Sequence, residues 1–162
     1  MKPLTCDRHN ISYFKIGEAQ PVLVLLHGFC ERKEMWLPLA DALSPLATVI
    51  GIDLPGYGSS DYMDGADLEI YAGAVHEVLN TENARQVVMV GHSMGGYVTL
   101  AFAEKYPTCI QGMGLFHSHP YADDEARKTN RLKAIELVKE YGSERYIREL
   151  FSGLFTSAFK VG

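Results

Sequence analysis

Three nearly continuous apolar runs, Val22-Leu23-Val24-Leu25-Leu26, Thr48-Val49-Ile50-Gly51-Ile52 and Val87-Val88-Met89-Val90, are separated by stretches whose apolar residues recur at helical spacing. Runs of this length without polar alternation predict strands covered by helices on both faces. Ahead of them, Leu4 to Cys6 and Ile11 to Ile16 flank the polar Asp7-Arg8-His9-Asn10, which predicts two short antiparallel strands. Trp36, Leu39, Ala40 and Leu43 predict one face of a helix, with Pro38 tolerated in its first turn. Ile70, Ala74, Val75, Val78 and Leu79 predict a second helix within Leu68 to Leu79. A third spans Met94 to Tyr106 and stops at Pro107, and Ile110 to Phe116 predicts a further strand.

From Val22 to Phe116 the elements therefore alternate strand and helix. Alternation of this kind implies right-handed crossovers and a mostly parallel sheet with helices on both faces. Any ligand crevice then lies at the carboxyl ends of the strands. Three polar or glycine-rich segments fall at such ends: His27-Gly28-Phe29-Cys30, Asp53 to Ser60, and His92-Ser93. After Tyr121 the pattern changes. Asp123 to Tyr141 reads as a charged helix, and Ser143 is placed to cap a second one, with apolar Tyr146, Ile147, Leu150, Phe151, Leu154, Phe155 and Phe159.

The strand Val87 to Val90 runs into Gly91-His92-Ser93-Met94-Gly95 and at once into a helical pattern. Strand, sharp turn and helix with Ser93 at the apex is the form of a nucleophile elbow. The apex backbone is strained and the two elements approach closely, which requires small residues two before and two after it; Gly91 and Gly95 supply them. The Ser93 hydroxyl then projects onto a helix N-terminus, whose N–H groups and dipole favour the oxyanion formed when a serine attacks a carbonyl.

Composition narrows the alternatives. The chain has 162 residues, 47% of them hydrophobic, enough for one core. Its formal net charge of −5, with charges mixed along the sequence, gives no footprint for nucleic acid or an anionic membrane. Cys6, Cys30 and Cys109 are odd in number and widely spaced, which predicts reduced, mostly buried thiols and neither a disulfide framework nor a metal site. The six histidines are scattered, with His117-x-His119 the only close pair, so no metal is expected. The amino terminus lacks the apolar core of a signal peptide, and a cytoplasmic location follows as the default.

Val22 to Phe29, Asp53 to Ser60 and Gly91 to Gly96, in this order and at these intervals, resemble the amino-terminal part of the α/β-hydrolase fold family, in its serine-nucleophile branch. The resemblance covers about residues 4 to 118. It implies an α/β-hydrolase core over residues 1–119 and the incomplete start of a helical cap, or lid, over 120–162. It also implies that Ser93 is the nucleophile, and that the backbone N–H groups of Phe29 and Met94 form the oxyanion hole. His27 is expected to hold the oxyanion loop in shape, Asp53 to anchor the following turn, and His92 to pack beneath the elbow, diverging from Ser93. Gly28 and His117 are candidate substrate-binding residues.

A serine needs a base oriented by an acid, and in the family these follow on loops after two further strands. Such strands are missing from the sequence, so the carboxyl-terminal strands, the acid and the histidine base are expected beyond residue 162. A rearranged triad, with His117 or His119 oriented by Asp123 or Asp124, is the alternative within the chain. The resemblance implies cofactor-independent hydrolysis of a small or medium ester, thioester or related acyl compound through an acyl-enzyme. A hydrolase-like protein that binds an apolar ligand, or a truncated hydrolase without turnover, is the second reading.

Overall fold

The structure is a computed structural model that describes residues 2–6 and 9–154. The chain folds as two compact units, Met1–Pro120 and Tyr121–Gly162.

The first unit is built on a six-stranded sheet with the order β1-β2-β4-β3-β5-β6. Strands β1 (Lys2–Cys6) and β2 (His9–Ile16) pair antiparallel, and β2 pairs antiparallel with β4 (Thr48–Ile52). From there β4, β3 (Val22–Leu26), β5 (Val87–His92) and β6 (Ile110–Phe116) are all parallel. Because β3 lies between β4 and β5, the winding reverses direction there. A reversal of this kind opens a crevice at the carboxyl ends of the strands that flank it, here β3 and β5.

Period-2 alternation sends the side chains of each strand to two different cores. Val22, Val24 and Leu26 join Ile50, Ile52 and Met89 beneath helices α2 (Leu68–Thr81) and α3 (Met94–Lys105), which contribute Val75, Val78, Val98 and Phe102. On the other face Leu25, Val49 and Phe14 meet Trp36 and Ala40, from the short helix α1 (Leu37–Leu43) and the 3₁₀ turn before it.

That 3₁₀ turn, Lys33–Trp36, alters the expected helix. Trp36 and Leu39 do not share a face, and Leu39 is 42% exposed. The cause is phase: three residues per turn before Leu37 and 3.6 after it break the continuous periodicity that the sequence pattern assumed. Double-sided coverage also fails on β5, whose Val88 and Val90 are only half-buried. Strand β6 is the sheet edge among the described residues, and its Met113 and Phe116 are 54% and 47% exposed.

In the second unit α4 (Glu125–Tyr141) begins at Asp124, whose carboxylate accepts the Arg127 N–H at 2.8 Å. It ends at Gly142, at φ 82°. Helix α5 (Ser143–Leu154) starts immediately, so Ser143 is its first residue rather than a cap outside it. The expected apolar positions Phe155 and Phe159 lie outside the described residues. Ion pairs between residues one turn apart, such as Arg148 with Glu144, line these helices. No helix among the described residues is long and apolar enough to cross a membrane.

Candidate active site

Ser93 is the single residue between β5 and α3, at φ 49° and ψ −113°. An L-residue adopts positive φ only where its surroundings enforce it. Enforcement comes from both sides. The Ser93 N–H donates to the Phe116 carbonyl at the end of β6 (3.0 Å), and the Ser93 carbonyl accepts from Gly96 N–H (3.0 Å). The approach is close: a Cβ on Gly91 would lie 2.1 Å from the Gly95 carbonyl oxygen, and one on Gly95 would lie 2.6 Å from those of Leu26 and His27. Only glycine fits either position.

The loop after β3 stands beside Ser93. His27 is fully buried; its Nε2 accepts the Leu54 N–H at 3.0 Å, which leaves Nδ1–H to donate to the Gly28 carbonyl at 2.8 Å. Those two bonds require a neutral imidazole. Its pKa is accordingly lowered, chiefly because burial penalises the cation, against the opposing influence of the Gly28 carbonyl and of Asp53 and Glu31. Gly28 to Glu31 form a tight turn, with Glu31 N–H donating to the Gly28 carbonyl at 3.3 Å and Cys30 at φ 61°. The Cys30 side chain faces outward, so this thiol is exposed, contrary to the burial expected for cysteine.

The loop after β4 is held to both. Tyr57 sets its ring edge-on to His27 (5.2 Å between centroids) and to Phe29 (6.3 Å), and its hydroxyl donates to the Met94 sulfur at 3.6 Å. Burial pushes the Tyr57 phenol up to about 12, so it stays a donor across the physiological range. Asp53 is buried and anchors the turn as expected, accepting the Ser59 N–H at 2.9 Å.

Two side chains at this site escaped the sequence reading. Lys33 is 1% exposed and its ammonium meets Asp53 Oδ2 at 2.5 Å, while its own N–H donates to Asp53 Oδ1 at 2.8 Å. Glu31 reaches back three residues, so that its Oε2 accepts the Gly28 N–H at 2.6 Å and His92 Nδ1–H at 2.7 Å. His92 thus turns to a carboxylate at the strand ends instead of packing beneath the elbow. A carboxylate three residues after a residue with an orphan N–H, the spacing of a capping box, was the available signal for Glu31. Nothing in the sequence distinguished Lys33 from a solvated lysine.

Ser93, Met94, Gly28 and Phe29 are therefore gathered at the carboxyl ends of β3 and β5. His117, on the loop after β6, is exposed at φ 46°, with its ring near those of Phe116 (4.5 Å) and His92 (6.1 Å). The ring of His119 lies near Tyr97, with Nε2 3.4 Å from the phenol oxygen. Of the expected partners for these histidines, Asp124 caps α4 and Asp123 pairs with Arg131. Among the described residues no three His, Cys, Asp or Glu side chains group as metal ligands would.

The chain is similar to known proteins over most of its length. A (E)-2-((N-methylformamido)methylene)succinate hydrolase of Acinetobacter baylyi is 30% identical over 135 residues, 83% of this chain and 51% of its own length. A 2-(acetamidomethylene)succinate hydrolase of Mesorhizobium japonicum is 28% identical over 78% of this chain and 44% of its own. Among solved structures, a thermophilic esterase from Thermogutta terrifontis superposes with a TM-score of 0.76 at 31% identity, over 83% of this chain and 50% of that one. The chain thus spans about half the length of the relatives it matches. The family model for the alpha/beta hydrolase fold matches residues 21–132, and with the sheet order and the strained Ser93 elbow this places the chain in the α/β-hydrolase fold family.

Proposed function

We propose that this chain belongs to a serine hydrolase in which the Ser93 hydroxyl attacks the carbonyl of a small or medium ester, thioester or related acyl compound. The observation that carries the reading is the Ser93 backbone, held at φ 49° between β5 and the first residue of α3. A residue in that conformation presents its side chain at the open end of the sheet, next to a helix N-terminus. As attack turns the carbonyl oxygen into an oxyanion, the Met94 and Phe29 N–H groups receive it; a donor of this kind is worth about 2.7–4 kcal/mol of barrier. Collapse of the tetrahedral intermediate breaks the bond to the alcohol or thiol, which leaves with the proton the base took from Ser93, and water then cleaves the acyl-enzyme to release the acid and restore the Ser93 hydroxyl. Names of similar proteins agree in kind: two are hydrolases of substituted succinates and one is an esterase. The neutral, doubly bonded His27 serves loop shape rather than proton transfer, and no cofactor takes part. We assign the base and its acid to the additional length that the relatives possess, with His117 as the alternative within the chain.

Intact-mass measurement after treatment with a fluorophosphonate tests the reading. One adduct is expected on the wild-type protein carrying that additional length, and none on its Ser93→Ala variant. Absence of the adduct under conditions that label serine hydrolases, together with saturable binding of an apolar ester and no turnover, would replace the enzyme by a ligand-binding protein. Loss of labelling in His117→Ala would give that histidine the role of base.

A further inference from the structure

Glu31 carries two bonds on one oxygen and a third through its backbone, two of them to Gly28 in the loop beside Ser93 and one to His92 at the end of β5. Its Oε2 accepts the Gly28 N–H (2.6 Å) and His92 Nδ1–H (2.7 Å), and its own N–H donates to the Gly28 carbonyl (3.3 Å). That carbonyl also accepts from His27 Nδ1–H (2.8 Å). The Gly28 carbonyl and the Phe29 N–H belong to one planar trans peptide, so fixing the carbonyl sends the N–H the opposite way. His92, the other partner of Oε2, directly precedes Ser93 in the chain. The three parties meet at one point: a Cβ on Gly28 would lie 2.8 Å from Glu31 Oε2, 2.9 Å from His92 Nδ1 and 3.2 Å from Ser93 Cβ.

Building on the reading of Ser93 as nucleophile, we propose that Glu31 is a positioning residue for acyl transfer, its Oε2 clamping the Gly28–Phe29 peptide to the His92–Ser93 segment so that the Phe29 N–H is aimed at the oxyanion. Glu31 touches no reacting atom in this role. What matters is the reach and accepting power of one oxygen, not the negative charge. A charge this close to a developing oxyanion opposes it, and the His92 and Gly28 donors offset that opposition.

Reach and charge are separable by substitution. Glutamine places a carbonyl oxygen where Oε2 lies and removes the charge; aspartate keeps the charge and is one methylene too short. The experiment compares Glu31→Gln, Glu31→Asp and Glu31→Ala in two readouts: the rate of fluorophosphonate labelling at Ser93, and the amide resonances of Gly28 and Phe29 by NMR. Expected are labelling within about threefold of wild type for glutamine and about tenfold or more slower for aspartate and alanine, part of the 10²–10³ lost when an oxyanion donor is removed outright. The two amides shift in the aspartate and alanine variants only. The reverse order, with aspartate near wild type and glutamine slow, overturns the proposal in favour of charge. Amides that shift while labelling stays unchanged overturn it in favour of a purely structural contact. A wild-type protein that never labels at Ser93 overturns the parent reading and this one with it; that failure is recognised because Ser93→Ala then matches wild type while the amides of Glu31→Ala still shift.

Discussion

Lys33 and Asp53 form a buried ion pair, 2.5 Å between Nζ and Oδ2, that ties the loop after β3 to the loop after β4. The Asp53 carboxylate also accepts the backbone N–H groups of Lys33 and Ser59, so it neutralises one charge and satisfies two orphan donors. Removing Asp53 strands both backbone donors and leaves the buried Lys33 ammonium with Glu34 Oε1, at 3.1 Å, as its remaining carboxylate.

Asp53→Ala is therefore expected to cost about 3 kcal/mol, the lower end of the range for breaking a buried pair, because Glu34 still offsets part of the Lys33 charge. Replacing both residues, as in Lys33→Met with Asp53→Leu, removes the stranded charge but still leaves two backbone donors unpaired. It should fall between wild type and Asp53→Ala in urea unfolding. A double variant as stable as wild type would show that the backbone bonds contribute nothing.

The neutral His27 predicts a direction for pH dependence. Its folded pKa lies below the ordinary 6.5, mainly through burial, so the unfolded chain takes up the proton first as pH falls. The stabilisation is complete above about pH 6.5 and is lost as pH drops toward the lowered folded value. His27→Gln should thus cost more at pH 7.5 than at pH 5. Equal cost at both, in denaturant titrations of the two proteins, would mean that the His27 pKa does not change on folding.

Strain at Ser93 predicts an order between two inactive variants. Positive φ costs an L-residue about 1–3 kcal/mol, and glycine escapes most of it while losing more entropy on folding. Ser93→Gly should unfold at a higher temperature than Ser93→Ala, by the equivalent of up to about 1 kcal/mol, with fluorophosphonate labelling lost in both. An alanine variant at least as stable as the glycine one would locate the enforcement of φ elsewhere.

When residues 1–162 are produced alone, the β6 edge predicts self-association. Met113 is 54% exposed on a strand paired only with β5 among the described residues, and unpaired apolar edges recruit other chains. Met113→Lys should lower concentration-dependent light scattering without lowering the unfolding midpoint. Unchanged scattering would exclude this edge as the contact.

Much of this protein follows from periodicity and a few motifs. The runs Val22–Leu26 and Thr48–Ile52 are strands with the bounds their apolar content predicts, because a buried strand can hold almost nothing else. The turn chemistry of Gly91 to Gly95 likewise has one solution: two glycines flanking a serine between strand and helix satisfy both the close approach and the positive φ. Boundaries and faces set by phase were less legible, as Leu39 shows, since a short 3₁₀ turn shifts the helical register without leaving a mark in composition.

What the sequence by itself determined is the set of local elements, the parallel architecture and the apex position of Ser93, all of which depend on residues near one another in the chain. Only the tertiary structure decided the sheet order that brings the loops after β3, β4 and β5 together, and hence that Glu31 meets His92 and Lys33 meets Asp53. Those pairs join residues 61 and 20 positions apart. Their partners are chosen by where the strands end, and a charged side chain carries no local signal of the charge it will meet.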